Sequence, residues 1–283
     1  MTYSELEKRV IESIQSLYGQ TEARSIQRFL FSCYADIDPA RYLLLRMEEA
    51  EPTFEKNVLE AIPILAEFVP VQYVTGKTWF CGHEFFVTPD VLIPRPETEE
   101  LVTMIIKKIS HQKDLRILDI GTGSGAIAIS LAISLPIAQI SAIDISNIAL
   151  EVSEKNAFSN KANVKFIQAD ILDENCWPGF SSYNLIVSNP PYVKQSERVT
   201  MKRNVLDYEP GLALFVEDSD PLLFYRRISE FAMKHLEVKG ELWFEINETE
   251  AENINKMLIV LGFSNIQVYK DINSKNRFVC ATY

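Results

Sequence analysis

The hydrophobic pattern of the first quarter of the chain is helical. Over residues 4–68 the apolar side chains recur at a spacing of three or four, and no strand pattern interrupts them. The first stripe consists of Leu6, Val10, Ile14 and Leu17. A second helix is expected to be capped at Thr21, and Asp38 followed by Pro39 is a typical start for a third. We therefore predict a small bundle of four or five helices.

The pattern changes after Asp114 to a regular alternation of short apolar runs with helical segments. The predicted strands are 115–120, 139–143, 164–168, 183–188, 240–246, 266–270 and 277–282. The predicted helices between them are 126–135, 146–157, 221–236 and 248–261. Strands joined by helical crossovers form a parallel sheet covered on both faces. Only residues 271–276 join the last two strands, which is too short for a crossover, so these two are expected to pair antiparallel at one edge.

A third sequence pattern lies between these two regions. Residues 71–96 are rich in aromatic and β-branched side chains and are interrupted by glycines and prolines, which favours short strands in a hairpin connector. Pro96 and the carboxylates of Glu97, Glu99 and Glu100 then precede an apolar periodicity, as at the N-terminus of a helix. Helix capping explains most of these residues. It does not explain Arg95, which stands between two prolines.

Composition and charge narrow the class of protein. The chain has 283 residues, 47% of them apolar, and no apolar run approaches the ~20 residues of a membrane span. Its four cysteines are far apart, which predicts free thiols in a cytoplasmic protein and no zinc site. The net charge of −11 argues against a broad phosphate-binding surface, so we expect no stable binding of nucleic acid.

A glycine-rich loop, residues 119–126, follows the first predicted strand and leads directly into a helix. Glycines there let the backbone pass close to a ligand, and the free N–H groups of the helix attract an anionic end. Asp144 ends the next strand at the distance expected for a carboxylate that binds ribose hydroxyls. Both NAD and S-adenosylmethionine contain a ribose, so these two features leave both cofactors open.

A second loop, Asn189-Pro190-Pro191-Tyr192, follows the fourth predicted strand. Two prolines fix two φ angles, remove two N–H donors and leave carbonyl oxygens free. The Asn189 amide and the flat ring of Tyr192 complete a corner that suits a planar group carrying an NH2. The plainer interpretation, a turn that only ends a strand, accounts for the same residues when the loop is considered alone.

The two loops together favour methyl transfer over hydride transfer. An amide nitrogen is a poor nucleophile because its lone pair is delocalised, so its methylation depends on positioning, which Asn189 and Pro190 can supply as acceptors. A nicotinamide enzyme is expected to place a proton-transfer group, often His, in the crevice. The three histidines, His83, His111 and His235, lie elsewhere in the predicted order. Asp170, which follows the third strand, is placed to reach an adenine amino group.

These residues resemble the class I S-adenosylmethionine-dependent methyltransferases, and more narrowly the peptide chain release factor N(5)-glutamine methyltransferases of the HemK/PrmC family. The narrower resemblance rests on the helical N-terminal region and on five further segments. These are Gln72–Gly76, Phe85–Val87, Leu92-Ile93-Pro94-Arg95-Pro96-Glu97-Thr98-Glu99, Tyr208-Glu209-Pro210 with Ala213-Leu214, and Asn276–Val279. The resemblance implies a Rossmann-like fold with a seven-stranded, mostly parallel sheet and an antiparallel last strand.

The same resemblance implies a function and a set of site residues. The reaction would transfer the methyl group of S-adenosylmethionine to the side-chain amide of the glutamine in the Gly-Gly-Gln motif of release factors. The implied cofactor residues are Gly121, Thr122, Gly123, Ser124, Gly125, Asp144, Asp170, Ile171 and Asn189. The implied substrate residues are Arg95, Asn189, Pro190, Pro191 and Tyr192, of which Asn189, Pro190 and Tyr192 are expected to be catalytic. Ile171 replaces the Trp that is frequent in relatives, so aliphatic packing is expected in place of an aromatic stack on adenine.

The resemblance also implies a domain plan and leaves one rival activity. Residues 1–70 would dock the release factor, residues 71–96 would connect, and residues 97–283 would form the methyltransferase domain. Enzymes that methylate exocyclic amino groups of adenine or guanine share the Asn-Pro-Pro-Tyr chemistry, since a flipped base also presents a planar NH2. The acidic charge opposes that alternative, and the intact motifs oppose a scaffold without catalysis.

Overall fold

The computed structural model describes residues 1–283, and their contacts divide the chain into two compact units. Residues 1–77 with 202–208 form a helical unit, and residues 78–201 with 209–283 form the other. The helices of the first unit are α1 (Tyr3–Tyr18), α2 (Gln20–Ala35), α3 (Pro39–Leu45), α4 (Pro52–Ala66), α5 (Val71–Thr75) and the short α9 (Arg203–Leu206). The functions assigned to residues 1–70 and 71–96 stay predictions.

The start of α1 shows how the sequence specifies this unit. Thr2 and Glu5 form a capping box at its N-terminus, and Leu6, Val10 and Ile14 are fully buried against the other helices. Leu17 is 42% exposed, so the predicted apolar stripe ends one turn early.

The junction between α1 and α2 corrects the predicted cap. Gly19, with a φ of 79°, closes α1 through a hydrogen bond from its N–H to the Gln15 carbonyl, and it also precedes the first residue of α2. Since one glycine ends one helix and begins the next, Thr21 lies inside α2 and the prediction of a Thr21 cap is wrong. Asp38 does cap α3 as predicted, because its carboxylate accepts the N–H of Arg41.

A segment distant in sequence completes the helical unit. Lys202 lies 3.0 Å from Glu22, and the hydroxyl of Tyr208 donates to the carbonyl of Glu67 at 2.6 Å. The guanidinium of Arg203 lies over the ring of Phe68. No pattern in residues 202–208 indicated this association.

The predicted hairpin forms over a shorter range than expected. β1 (Lys77–Phe80) pairs with β2 (His83–Phe86), but residues 71–75 form the helix α5 instead of a strand. Pro70 precedes this helix, and Gly76, at a φ of 70°, closes it with a hydrogen bond to the Gln72 carbonyl. The prediction that residues 71–75 belong to a strand is therefore wrong. The flanking Pro and Gly outweigh the strand propensity of Val, Tyr and Thr.

A seven-stranded sheet forms the centre of the second unit. Its strands are β3 (Arg116–Ile120), β4 (Gln139–Asp144), β5 (Val164–Gln168), β6 (Tyr183–Ser188), β9 (Leu236–Glu245), β10 (Ser264–Lys270) and β11 (Asn276–Thr282). They lie in the order β10-β11-β9-β6-β3-β4-β5, and β11 pairs antiparallel with both of its neighbours while the remaining pairs are parallel. The prediction of a mostly parallel sheet with an antiparallel last strand is confirmed.

Helices cover both faces of this sheet, and each face has its own core. The helices are α6 (Pro96–Ile109), α7 (Ala126–Ser134), α8 (Asn147–Ser159), α10 (Gly211–Leu214), α11 (Leu223–His235) and α12 (Ala251–Val260). Side chains of α6 and α7, among them Leu101 and Leu131, form one core, and Ile228 and Ile254 of α11 and α12 belong to the other. A short pair, β7 (Val193–Lys194) with β8 (Phe215–Val216), and three 3-10 turns at Glu174–Gly179, Gln195–Thr200 and Glu248–Glu250 complete the unit. None of the helices combines the length and apolar character needed to cross a membrane.

Candidate active site

The carboxyl ends of the parallel strands open into one cavity of about 380 Å³. Ligands in open α/β sheets bind in the crevice at this edge, and the volume is that of a site for a drug-sized ligand. The predicted site residues that line the cavity are Gly121, Gly123, Asp144, Asp170, Ile171, Asn189, Pro190 and Pro191. Thr122, Ser124, Gly125, Tyr192 and Arg95 are not among its lining residues. The structure therefore brings the glycine loop and the Asn-Pro-Pro turn together in one cleft.

The glycine loop presents its backbone to the cavity. Gly121 and Gly123 have φ angles of 75° and 55°, and a Cβ built on either would meet no atom within 4 Å. The N–H groups of Gly121 and Thr122 donate to the Ile143 carbonyl at 2.9 and 3.0 Å, which fixes the loop against the end of β4. The loop is thus shaped by positive φ values and leaves open space where side chains would stand.

The other residues of the loop face the protein. The Thr122 hydroxyl donates to Asp119 Oδ2 at 2.6 Å, and Ser124 is buried, its carbonyl accepting from Asn156. Gly125 packs so closely that a Cβ would lie 2.9 Å from Ser153 Cβ. These three residues shape the loop from behind, and their assignment to the cofactor stays a prediction.

Two carboxylates accept hydrogen bonds from the glycine loop, Asp119 at its start and Asp144 at the end of β4. Asp144 accepts the N–H of Gly123 through Oδ2 and that of Ser146 through Oδ1, both at 2.9 Å, so it ties the loop to the start of α8. Burial raises the pKa of Asp144, and these hydrogen bonds oppose the rise. Burial also raises the pKa of the fully buried Asp119 to about 7, opposed by the Thr122 hydroxyl.

The segment after β5 forms another wall of the cavity. Asp170 Oδ1 accepts the N–H of Leu172 at 2.8 Å, which shapes a tight turn. Ile171 is 9% exposed and packs in the core next to α11, while its carbonyl accepts from Trp177 Nε1 at 3.1 Å. An aliphatic side chain therefore lines the cavity at this position.

Hydrogen bonds to residues that do not line the cavity hold the Asn-Pro-Pro-Tyr turn in place. Asn189 Nδ2 donates to Thr98 Oγ1 at 3.2 Å, and the Tyr192 hydroxyl donates to Glu245 Oε1 at 3.1 Å. The Tyr192 carbonyl accepts from Asn247 Nδ2 at 3.4 Å. Asn189 and the two prolines line the cavity, whereas Tyr192 does not and stabilises the turn through its hydrogen bonds.

Arg95 is committed to a contact within the protein. Its Nη2 lies 2.6 and 2.7 Å from the two carboxylate oxygens of Glu209, which also accepts the N–H of Ile93. The Glu209 side chain is 1% exposed and that of Arg95 is 30% exposed. The pair joins two segments that the sequence separates by more than a hundred residues.

Sequence reasoning missed much of the apolar wall of the cavity. The additional lining residues include Pro89, Asp90, Leu212, Phe224 and Ile228. Phe224 and Ile228 stand four residues apart on α11, so a helical stripe indicated that they share one face. It did not indicate that this face lines the same cavity as the glycine loop, because that depends on how α11 packs on the sheet.

The strand order, the glycine loop after β3 and the acid at the end of β4 define the class I S-adenosylmethionine-dependent methyltransferases. This fold implies S-adenosylmethionine as the methyl donor. The cavity fits that group, because Gly121 and Gly123 leave open space beside the loop and Asp144 and Asp170 supply carboxylates to receive hydroxyl and amino hydrogens. The acidic lining also suits a cationic sulfonium.

Comparison with known proteins narrows the class to a family. The family model for the methyltransferase small domain matches residues 98–207. The chain is 42% identical over 275 residues to a release factor glutamine methyltransferase of Flavobacterium psychrophilum, covering 95% of each chain. It is 40% identical over 270 residues to that of Bacteroides thetaiotaomicron, covering 95% of this chain and 96% of the relative. The chain belongs to the release factor glutamine methyltransferase family.

Solved structures agree with the fold. A methyltransferase from Pyrococcus furiosus superposes with a TM-score of 0.52 at 17% identity, over 79% of this chain and 98% of that one. At this level of identity the likeness concerns the fold alone.

Proposed function

We propose that this protein transfers a methyl group from S-adenosylmethionine to the side-chain amide nitrogen N(5) of the glutamine in the Gly-Gly-Gln motif of peptide chain release factors. The observation that carries the proposal is that one cavity is lined both by the glycine loop with Asp144 and by Asn189, Pro190 and Pro191. The curated relatives named for this activity, at 42% and 40% identity, support the choice of substrate.

The cofactor side of the cavity binds and orients the methyl donor. S-adenosylmethionine supplies a methyl group on a cationic sulfur, so no further activation of that carbon is needed. In the proposal Gly121 and Gly123 allow the close approach of the backbone, and Asp144 accepts hydrogen bonds from the ribose hydroxyls. Asp170 lies where it can accept from the adenine amino group, and Ile171 packs against the base.

The substrate side holds the glutamine amide flat. Asn189 Oδ1 and the Pro190 carbonyl each accept one N–H of the amide, which directs the remaining lobe of the nitrogen at the methyl group. As the bond from nitrogen to this carbon forms, the bond from carbon to sulfur would break, so that S-adenosylhomocysteine leaves as a neutral thioether and the amide nitrogen releases one of its two protons to solvent. The two prolines make this corner stiff, because each fixes its own φ angle. Such positioning matters because a misplacement of about 1 Å can cost ~10²-fold in rate. Tyr192 supports the corner from its buried side.

Two further parts of the chain belong to the proposal. Arg95 contributes to the substrate side through Glu209, which precedes Pro210, and Pro210 and Leu212 line the cavity. Residues 1–70 dock the release factor, as the family resemblance implies. A release factor substrate would place the protein in the cytoplasm, where translation ends.

The test measures which polymer becomes methylated. Purified protein is incubated with S-adenosylmethionine carrying a labelled methyl group and with either a release factor, the same release factor with its Gly-Gly-Gln glutamine replaced, or total RNA. Label is expected in the first and absent from the other two. Label in RNA but not in release factor would overturn the proposal and favour the base-methylating alternative.

A pair of variants separates the proposed corner from general effects on folding. Asn189→Ala should lose turnover strongly while the thermal midpoint stays close to that of the parent. Asn163→Ala, at an exposed position between α8 and β5, is the matched control and should retain activity. Near-normal turnover of Asn189→Ala would refute the role of Asn189 as an acceptor for the amide.

A further inference from the structure

A buried carboxylate lies behind the Asn-Pro-Pro-Tyr turn. Glu245, the last residue of β9, is 1% exposed and does not line the cavity. Its Oε2 accepts the Thr98 hydroxyl at 2.6 Å, and its Oε1 accepts the Tyr192 hydroxyl at 3.1 Å. A buried carboxylate costs free energy unless it is hydrogen-bonded, and these two hydroxyls offset that cost for Glu245.

The bond between Thr98 and Glu245 fixes the direction of the next bond. An ionised carboxylate only accepts hydrogen bonds, so the single proton of the Thr98 hydroxyl points at Glu245. Thr98 Oγ1 can then offer only a lone pair to Asn189, which lies 3.2 Å away. The Asn189 amide must therefore present its NH2 to Thr98, and its carbonyl oxygen lies on the opposite side of the amide carbon.

This direction matters because the two ends of a carboxamide are almost equal in shape but opposite in hydrogen bonding. A half turn about the last side-chain bond would place Nδ2 where Oδ1 should be, so a donor would face the N–H groups of a substrate amide. Nothing in the shape of the cavity distinguishes these two orientations. The chain from Glu245 through Thr98 to Asn189 does distinguish them.

The hydrogen bonds of Glu245 match the form that accepts both hydroxyls. Burial raises the pKa of Glu245, while the hydroxyl donors Thr98 and Tyr192 and the charge of Arg277 oppose that rise. Arg277 is itself held by Asp271, whose Oδ2 lies 3.1 Å from its Nε. Both oxygens of Glu245 are used as acceptors, which is the arrangement of a carboxylate.

We propose that Glu245 is a positioning residue that acts through Thr98 to turn Asn189 Oδ1 toward the substrate amide, and through Tyr192 to hold the turn in place. The inference rests on the proposed function in one respect, that the acceptor of the methyl group is a planar amide. It adds Glu245 and Thr98 to the residues on which the reaction depends, although neither lines the cavity.

The first experiment removes the Thr98 hydroxyl, and with it both of its hydrogen bonds, while keeping the volume of the side chain. Thr98→Val replaces the hydroxyl by a methyl group and should lower kcat for release factor by roughly 10- to 100-fold, the range expected for a misplaced reactant. The affinity for S-adenosylmethionine should stay unchanged. Thr98→Ser keeps the hydroxyl and should restore most of the rate. Thr103→Val, at an exposed position of the same helix, is the matched control and should behave as the parent.

A double-variant cycle tests whether Thr98 acts through Asn189. The affinity of the protein for a glutamine-containing Gly-Gly-Gln peptide is measured by calorimetry for Thr98→Val, Asn189→Ala and the double variant. If Thr98 acts only by orienting Asn189, its replacement should have no further effect in the Asn189→Ala background. If the two substitutions instead lower the affinity by independent, additive amounts, Thr98 does not act through Asn189 and has a purely structural role.

A direct readout keeps this inference separate from the proposed function. In ¹⁵N nuclear magnetic resonance the side-chain NH2 of Asn189 should shift in both Thr98→Val and Glu245→Gln, and should exchange faster with water. An unchanged Asn189 signal would overturn the inference even if release factor is methylated. Absence of label in release factor with a shifted Asn189 signal would instead overturn the proposed substrate and leave the orientation of Asn189 standing.

Discussion

The guanidinium of Arg95 and the carboxylate of Glu209 form an ion pair in which one nitrogen lies 2.6 and 2.7 Å from the two oxygens. Arg95 ends the segment before α6, and Glu209 lies two residues before α10. The Glu209 carboxylate also accepts the N–H of Ile93 at 3.4 Å, and its side chain is buried from solvent. The pair therefore fastens two segments that flank the cavity.

Removal of Arg95 should destabilise the protein measurably. Arg95→Ala leaves Glu209 as a buried charge without its partner, and we expect a loss of about 2–4 kcal/mol in the free energy of unfolding, measured with urea. Adding Glu209→Gln should recover part of this loss, since the amide leaves no buried charge. Lys8→Ala, which breaks the exposed pair with Glu12, is the control and should cost at most about 0.5 kcal/mol. Equal effects of Arg95→Ala and Lys8→Ala would contradict the buried pairing.

The pKa of Asp119 predicts how stability depends on pH. Its value is raised from 3.8 to about 7 by burial, so between these limits the folded protein keeps a proton that the unfolded chain has released. The free energy of unfolding contributed by Asp119 therefore falls as the pH rises through this window. Asp119→Asn removes the titration and still accepts the Thr122 hydroxyl.

The check compares the two proteins at two pH values. Relative to the parent, Asp119→Asn should gain roughly 2–3 kcal/mol of stability between pH 5 and pH 8, measured by urea unfolding. Glu252→Gln changes a carboxylate that is 89% exposed on its side chain, and it serves as the control for replacing a carboxylate by an amide. A constant difference between Asp119→Asn and the parent would show that Asp119 titrates normally.

The glycines of the loop should differ in their tolerance of a methyl group. A Cβ on Gly125 would lie 2.7 Å from Ile129 Cδ1 and 2.9 Å from Ser153 Cβ, whereas one on Gly123 would meet nothing. Both have positive φ, which costs roughly 1–2 kcal/mol for alanine. Gly125→Ala should add a further ~1–3 kcal/mol from overpacking.

Urea unfolding of three alanine variants separates the two costs. Gly82 has a φ of 78°, and a Cβ built on it would meet no atom within 4 Å, so Gly82→Ala reports the backbone cost alone. Gly123→Ala should match it in stability, and Gly125→Ala should be less stable than both. If all three unfold at the same urea concentration, the close packing of Gly125 against α8 is wrong.

Asp144 should contribute to the affinity for S-adenosylmethionine. Asp144→Ala removes the proposed acceptor for ribose hydroxyls and the bond to the Gly123 N–H, and hydrogen bonds to a charged group contribute about 1.5–3 kcal/mol. We expect the Kd measured by calorimetry to rise roughly 10- to 150-fold. Asp173→Ala removes an exposed carboxylate that caps a 3-10 turn and should leave the Kd unchanged. An unchanged Kd for Asp144→Ala would contradict the ribose assignment.

Local patterns sufficed for the sheet and for the positions of its two loops. The runs at 164–168 and 183–188 match β5 and β6 residue for residue, because parallel strands occur as short apolar runs bounded by turn residues, although β6 is mostly buried and the edge strand β5 is not. Gly121, Asp144 and Asn189 all follow or end such strands, and parallel strands bring their carboxyl ends to one edge. Their meeting in one cavity was therefore predictable from order alone.

The sequence by itself determined the order of strands and helices, the glycine loop, the Asn-Pro-Pro-Tyr turn and the family, because each is specified by residues that are neighbours along the chain. Tertiary structure alone decided that residues 202–208 join the helical unit, that Arg95 pairs with Glu209, and that Glu245 lies behind Asn189. The reason is physical, since a buried ion pair or a relay of hydroxyls depends on which elements pack together in space. An acid at the end of an apolar strand, such as Glu245, is a sign of a buried contact, but its partners Thr98 and Tyr192 are known only once the chain has folded.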